Sequence, residues 1–290
     1  MTRRSRREFL AGSAQLVGSL SLSPLLGCSS GKEPSTEPKQ DSARAGHIAD
    51  LEKRIPQLLS ELRVPGVSIA IIGDAKVAWS KGFGIRDVTL NTPVENNTIF
   101  EAQSMSKPVF AYAVMKLCER GVLNLDTPLT TYTPDRFVKD DSMLDLITAR
   151  HVLSHTTGFP NWRSQRDPLR INFTPGEKWS YSGEGYYYLQ SIMTRLTGHT
   201  DPATCAAYEQ GYRVCATDFN EYMSANLLLP FAMTSSGYLW TGTFEERMAR
   251  PHDKNGTPLK KREANFYGCG PVWFSRFPAE HRNGLREVSD

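Results

Sequence analysis

Residues 98–108 read Thr98-Ile99-Phe100-Glu101-Ala102-Gln103-Ser104-Met105-Ser106-Lys107-Pro108. Beyond them Phe110, Ala113, Val114 and Leu117 recur at three- and four-residue steps and Gly121 follows, so the spacing predicts a helix from about Ser106 to Arg120. Ser104 and Lys107 stand three residues apart at its start, where positions i and i+3 share a face and a hydroxyl can meet an amine. The string S-x-x-K is weak evidence alone, because Ser29-Ser30-Gly31-Lys32 matches it too. Ser104 has a second reading as an N-cap, its oxygen satisfying orphan amides while Lys107 points to water. These residues by themselves leave both readings open.

Upstream, Ile48, Leu51, Ile55, Leu58, Leu59 and Leu62 also keep helical spacing, which predicts a helix over residues 47–62 that bends near Pro56. Val67 to Ile72 and Lys76 to Gly82 flank Gly73-Asp74-Ala75 and predict a β-hairpin. A turn-rich stretch through Asn91, Pro93 and Asn96-Asn97 leads back to Ser104. Downstream, helices fit Ala149 to Ser154, Gly185 to Thr197 and Asp218 to Leu229, and no internal repeat is visible. A strand pair and a helix in front of a mainly helical middle give an α+β chain without strict βαβ alternation.

The 290 residues are 39% hydrophobic, 10% aromatic and 22% charged, enough for a full core in one large domain or two small ones. The formal charge is +3, from 34 Lys and Arg against 31 Asp and Glu. Four of the cations, Arg3, Arg4, Arg6 and Arg7, lie ahead of residue 28 with Glu8 as the sole anion there, so the remainder balances at 30 against 30. A neutral remainder lacks the basic field that phosphate backbones need, and nucleic acid is not expected as a partner.

Ser5-Arg6-Arg7-Glu8-Phe9-Leu10 precedes a weakly apolar stretch, Leu10 to Leu26, diluted by Gly, Ser and Gln15 and broken by Pro24. It resembles a twin-arginine export signal and is too diluted for a span, which needs roughly 20 mostly apolar residues. The ending Leu25-Leu26-Gly27-Cys28 resembles a lipobox, which implies removal of residues 1–27 and a lipid on Cys28. The implied place is the periplasmic side of a bacterial envelope, held to the membrane through that lipid. Residues 28–45 contain no large apolar side chain after Cys28 and read as a flexible tether. Cys118, Cys205, Cys215 and Cys269 then remain in a chain bound for an oxidising compartment. Cys205 and Cys215 enclose a short polar loop and could pair, and free thiols are equally compatible with export after folding.

Four blocks carry a resemblance. They are Thr98 to Pro108, Leu123-Asn124-Leu125-Asp126-Thr127-Pro128, His151-Val152-Leu153-Ser154-His155-Thr156-Thr157-Gly158, and Phe173-Thr174-Pro175-Gly176-Glu177-Lys178-Trp179-Ser180-Tyr181-Ser182. In order and spacing they resemble the serine β-lactamase-related hydrolases, which include class C β-lactamases, D-Ala-D-Ala carboxypeptidases and related esterases. The likeness runs from about Ile48 to Asn265 with an insertion near residues 199–217. It implies a β-lactamase/transpeptidase-like fold, an antiparallel sheet flanked by helices with a mainly helical subdomain, over residues 46–267. It also implies acyl-enzyme chemistry on an ester, a β-lactam or a D-Ala-D-Ala peptide, without a cofactor or a metal. By resemblance Ser104 is the acylated nucleophile, Lys107 its helix partner and Tyr181 the tyrosine that helps move the proton. A serine hydroxyl needs such help, since it attacks well only when a positioned base takes its proton. Free lysine and tyrosine ionise near about 10.4 and about 10, so such a base works near neutrality only when its surroundings shift it. Which of the two is the base stays open. His151 and His155, four apart, could grip a metal on a helix, but the Glu of H-E-x-x-H is missing and no third ligand suggests itself. Tyr186, Tyr187 and Tyr188 read as core aromatics.

Two departures limit what is implied. The family usually has Tyr-x-Asn where this chain has Tyr181-Ser182-Gly183, so an amide that would touch the substrate's acyl side chain is missing. The third family motif, Lys or His before a small residue and Gly on an edge strand, is also absent. Trp240-Thr241-Gly242 has the wrong first residue and comes too early. That strand normally lends a backbone N–H to the oxyanion hole, and one such donor is worth about 10²–10³ in rate. Residues 268–290 show neither helical nor strand periodicity, and the expectation is an incomplete domain whose last strands are missing, ending in an atypical tail. Two further readings follow: a non-catalytic lipoprotein that binds peptidoglycan or β-lactam, and an inactive truncated product.

Overall fold

The computed structural model describes residues 37–259 apart from 74–75, 140, 164–167, 199–202, 206–207, 210–213 and 240. The export signal, Cys28, Cys269 and the tail at 268–290 lie outside the described residues. Helix α1 spans Glu37–Leu62 and runs through Pro56. Residues 37–45, expected as flexible tether, are therefore helical. Lack of apolar residues excludes a core role but not a helix, and Pro38 stands in the first turn, where its missing N–H costs nothing. The chain divides into two compact units between Leu51 and Glu52. The described part of the first unit is the helix over 37–51, and everything below concerns the second.

In that unit β1 (Gly66–Gly73) pairs antiparallel with β2 (Lys76–Asp87), from Gly66 opposite Gly84 to Gly73 opposite Lys76, with a register irregularity at Ile71 and Ile72. The two-residue β3 (Thr92–Pro93) pairs antiparallel with the other edge of β2, giving the order β1-β2-β3. The hairpin is longer than the apolar alternation suggested, because β2 continues to Asp87 through positions no longer opposite β1.

The helical part comprises α2 (Ser106–Glu119), α3 (Ala149–Leu153), α4 (Gly183–Thr197), α5 (Ala216–Met223) and α6 (Gly242–Arg247). The helix expected from Asp218 starts two residues earlier, and Ser224–Leu228 continues it as a π-helical turn. Between α4 and α5, β4 (Tyr208–Glu209) and β5 (Val214–Cys215) form a small ladder next to a disulfide that joins Cys205 to Cys215. The core lies among α2, α4 and α5. Phe110 of α2 is fully buried, with its ring 6.0 Å from Tyr186 of α4 and 5.9 Å from Phe219 of α5. Tyr188 stacks on Phe137 at 4.9 Å. The helical periodicities thus mark one shared interior, and that interior fixes α2 against α4.

Candidate active site

Ser104 is brought to the site by the chain on both sides of it. Upstream, the Ile99 N–H donates to Arg247 O at 3.0 Å and the Ala249 N–H to Ile99 O at 2.8 Å, which ties the approach segment to the end of α6. Ser104 itself lies in a 3-10 turn, Gln103–Met105, one residue short of α2. Met105 occupies the N-cap position of α2 without a side-chain cap bond. Ser104 is thus not a capping residue. Its Oγ accepts from Tyr181 Oη at 2.7 Å and from Lys107 Nζ at 3.3 Å. Lys107 does not point to water, being 4% exposed. The serine is exposed, so the three groups meet at an open edge with the amine on the inner side.

Burial lowers the Lys107 pKa from 10.5 to about 8. Its ammonium lies over two rings, 4.8 Å from the centre of Tyr181 and 5.4 Å from that of Tyr186. These faces stabilise the charge without supplying a carboxylate partner. The two tyrosines differ in role. Burial, with the nearby Tyr181 second, pushes Tyr186 up to about 12, so it stays a phenol. Only Tyr181 reaches the serine oxygen.

Tyr181 sits just before α4, whose N-cap is Ser182. The Ser182 Oγ accepts the Gly185 N–H at 2.9 Å and donates to Pro160 O at 2.9 Å. His155 holds the other side. Helix α3 ends at Leu153, and His155 lies beyond it with φ +56°. His151 belongs instead to the capping box of α3, with the Thr148 N–H donating to its Nδ1 at 3.3 Å. The two histidines therefore do not share a helix face, and each Nδ1 already faces a backbone N–H. The turn after His155 requires Gly158 (φ +81°), where a Cβ would lie 2.4 Å from Phe173 O.

The loop before α4 also explains Gly183. A Cβ there would lie 2.8 Å from Asn161 O and 3.0 Å from the Trp162 ring, while the Gly183 N–H donates to Asn161 Oδ1 at 3.1 Å. Loop 159–163 thus occupies the space next to the position of the missing amide. Glu184, with a fully buried side chain, anchors that loop. It accepts the backbone N–H of Arg163 at 2.8 Å and the guanidinium Nε and Nη2 at 2.9 and 2.7 Å. Asn161, Trp162, Arg163 and Glu184 carry no site signal in the sequence, and His155 stands out there only as half of a possible metal pair with His151. Their partners lie 21 to 27 positions away, and no local spacing signals them. Thr241 caps α6, its hydroxyl accepting the Phe244 N–H. The Thr241-Gly242 pair thus begins a helix and not an edge strand.

Residues 51–268 match the family model described as Beta-lactamase. The chain belongs to this family. It is 25% identical over 236 residues to Protein flp of Staphylococcus aureus (strain N315), covering 75% of this chain and 44% of that protein. It is 26% identical over 249 residues to Esterase EstB of Burkholderia gladioli, covering 76% and 58%. Among solved structures, the octameric penicillin-binding protein homologue from Pyrococcus abyssi superposes with a TM-score of 0.56 at 27% identity, covering 73% of this chain and 50% of that one. The chain spans about half the length of the curated relatives it matches. The β-lactamase/transpeptidase-like fold, a family of serine hydrolases, is the fold that the four sequence blocks implied.

Proposed function

We propose that this β-lactamase family member is an envelope serine hydrolase that acts on esters through an acyl-enzyme at Ser104. The observation that carries the proposal is the meeting of Tyr181 Oη, Ser104 Oγ and Lys107 Nζ within 2.7 and 3.3 Å. With Lys107 ionising near 8, the tyrosine–lysine pair is one proton short in a useful fraction of molecules at mildly alkaline pH. It then takes the Ser104 proton as Oγ attacks the carbonyl carbon. Collapse of the tetrahedral adduct expels the alcohol, which takes up that proton, and leaves an acyl ester on Ser104. Water, deprotonated by the same pair, attacks this ester and frees the carboxylic acid and the serine hydroxyl.

Two features favour esters over β-lactams or D-Ala-D-Ala peptides. The esterase EstB is among the relatives. Loop 159–163 crowds Gly183, the position from which an amide would meet the acyl side chain of those substrates. Residues 1–45 support the location proposed here, export by the twin-arginine route with a lipid on Cys28. The test compares p-nitrophenyl acetate and butyrate with a chromogenic cephalosporin. Ester turnover that is abolished in Ser104→Ala, with cephalosporin turnover at least about 100-fold slower, is the expected result. Faster turnover of the cephalosporin would reverse the substrate assignment, and binding of penicillin without turnover of any of them would favour the non-catalytic lipoprotein.

A further inference from the structure

His155 grips both neighbours of Tyr181. Its carbonyl accepts the Ser180 N–H at 2.8 Å and its Nδ1 accepts the Ser182 N–H at 3.1 Å. Its ring lies 4.4 Å from the Tyr181 ring at 30° and 5.1 Å from the Tyr186 ring at 33°, with Trp179 edge-on at 6.2 Å. A histidine at φ +56° is strained backbone, which persists only where the surroundings over-determine it. Three separate contacts here converge on one loop, and the residue between the two gripped amides is the one whose hydroxyl reaches Ser104.

We propose that His155 is a positioning residue for the reaction at Ser104, which in its neutral form holds the Tyr181 hydroxyl on the serine oxygen and releases it when protonated. This rests on the assignment of Ser104, Lys107 and Tyr181 above. Nδ1 can accept the Ser182 N–H only while unprotonated, which places the ring proton on Nε2. Protonation sets two N–H groups against each other across 3.1 Å, and the Tyr181–Ser182 backbone must move. The titratable groups that face the ring among the described residues are Lys107 of α2, Tyr181 of the loop and Tyr186 of α4, and none of them is a carboxylate. Burial first, and then the Lys107 charge, lower the His155 pKa below its ordinary 6.5. The neutral ring is therefore the working form at neutral pH.

A displacement of about 1 Å at a reacting group costs up to about 100-fold in rate. His155→Phe, which keeps the ring and loses the acceptor, is expected to lower kcat by about 10- to 100-fold with KM unchanged within about twofold. His155→Asn tolerates the same backbone and keeps an acceptor, and it is expected to recover most of that loss. The two also separate in pH. In the native protein log kcat climbs with slope one toward the Lys107 ionisation near 8 and steepens toward slope two below pH 6.5, whereas in His155→Asn the slope stays at one. An unchanged kcat in His155→Phe, or a steepening that survives in His155→Asn, overturns the proposal while leaving Ser104 acylation intact. Nitrogen-resolved NMR decides the matter without turnover: the Ser182 amide and the Tyr181 ring signals must titrate with the His155 ring. If they stay still as His155 protonates, the proposal fails whether or not the protein is active.

Discussion

Lys107→Met replaces a buried ammonium with a neutral chain of similar length, and it separates what the lysine does for chemistry from what it costs the fold. The lysine is 4% exposed and has no carboxylate among the partners described above. Bringing its pKa from 10.5 to about 8 makes the charged folded state less favourable by about 3 kcal/mol at pH 7, at about 1.36 kcal/mol per pH unit. Methionine recovers part of it, so the variant is expected to be more stable by about 1–3 kcal/mol in urea unfolding at pH 7. The sign with pH follows from the direction of the shift. The unfolded chain binds the proton more tightly than the folded one, so native stability rises as pH climbs from about 8 toward 10.5. The penalty falls to about 2 kcal/mol at pH 9, and the gap between variant and native protein should narrow by about 1 kcal/mol between pH 7 and 9. Acylation of Ser104 is lost in the same variant. A variant no more stable than the native protein at pH 7, or a gap indifferent to pH, would refute the desolvation argument.

Two other substitutions test the loop in front of α4. Arg163→Leu strands the fully buried Glu184 carboxylate, and urea unfolding should show a loss of about 3–5 kcal/mol, with Arg163→Leu/Glu184→Gln less damaged than the single variant. Gly183→Asn restores the amide usual in the family but drives a Cβ to 2.8 Å from Asn161 O. Thermal unfolding should register a destabilisation of about 1–3 kcal/mol, without a gain of turnover on a chromogenic cephalosporin.

What the sequence made legible depended on whether the cause was local. The S-x-x-K spacing, the helical periodicity of Phe110, Ala113, Val114 and Leu117, and Gly121 as a stop all act within one or two turns, and α2 appears within a residue of its expected end. The pairing of Tyr181 with Ser104 across 77 positions came from the family resemblance, since no local pattern links them. The N-cap alternative for Ser104 failed because the chain enters α2 through a 3-10 turn, which moves the cap to Met105. Spacing offers His155 only as half of a possible metal pair with His151. Its grip on Ser180 and Ser182 depends on a left-handed backbone that spacing does not encode. The helix over 37–45 leaves no mark in the apolar spacing, because a polar stretch is compatible with either a tether or a helix.

The central claim is that Ser104 becomes covalently acylated. Intact-protein mass spectrometry after incubation with a fluorophosphonate or a fluorescent penicillin tests it most directly. A single adduct that maps to the peptide holding Ser104 and disappears in Ser104→Ala is the predicted result; no adduct on folded protein, or equal labelling of Ser104→Ala, would contradict it.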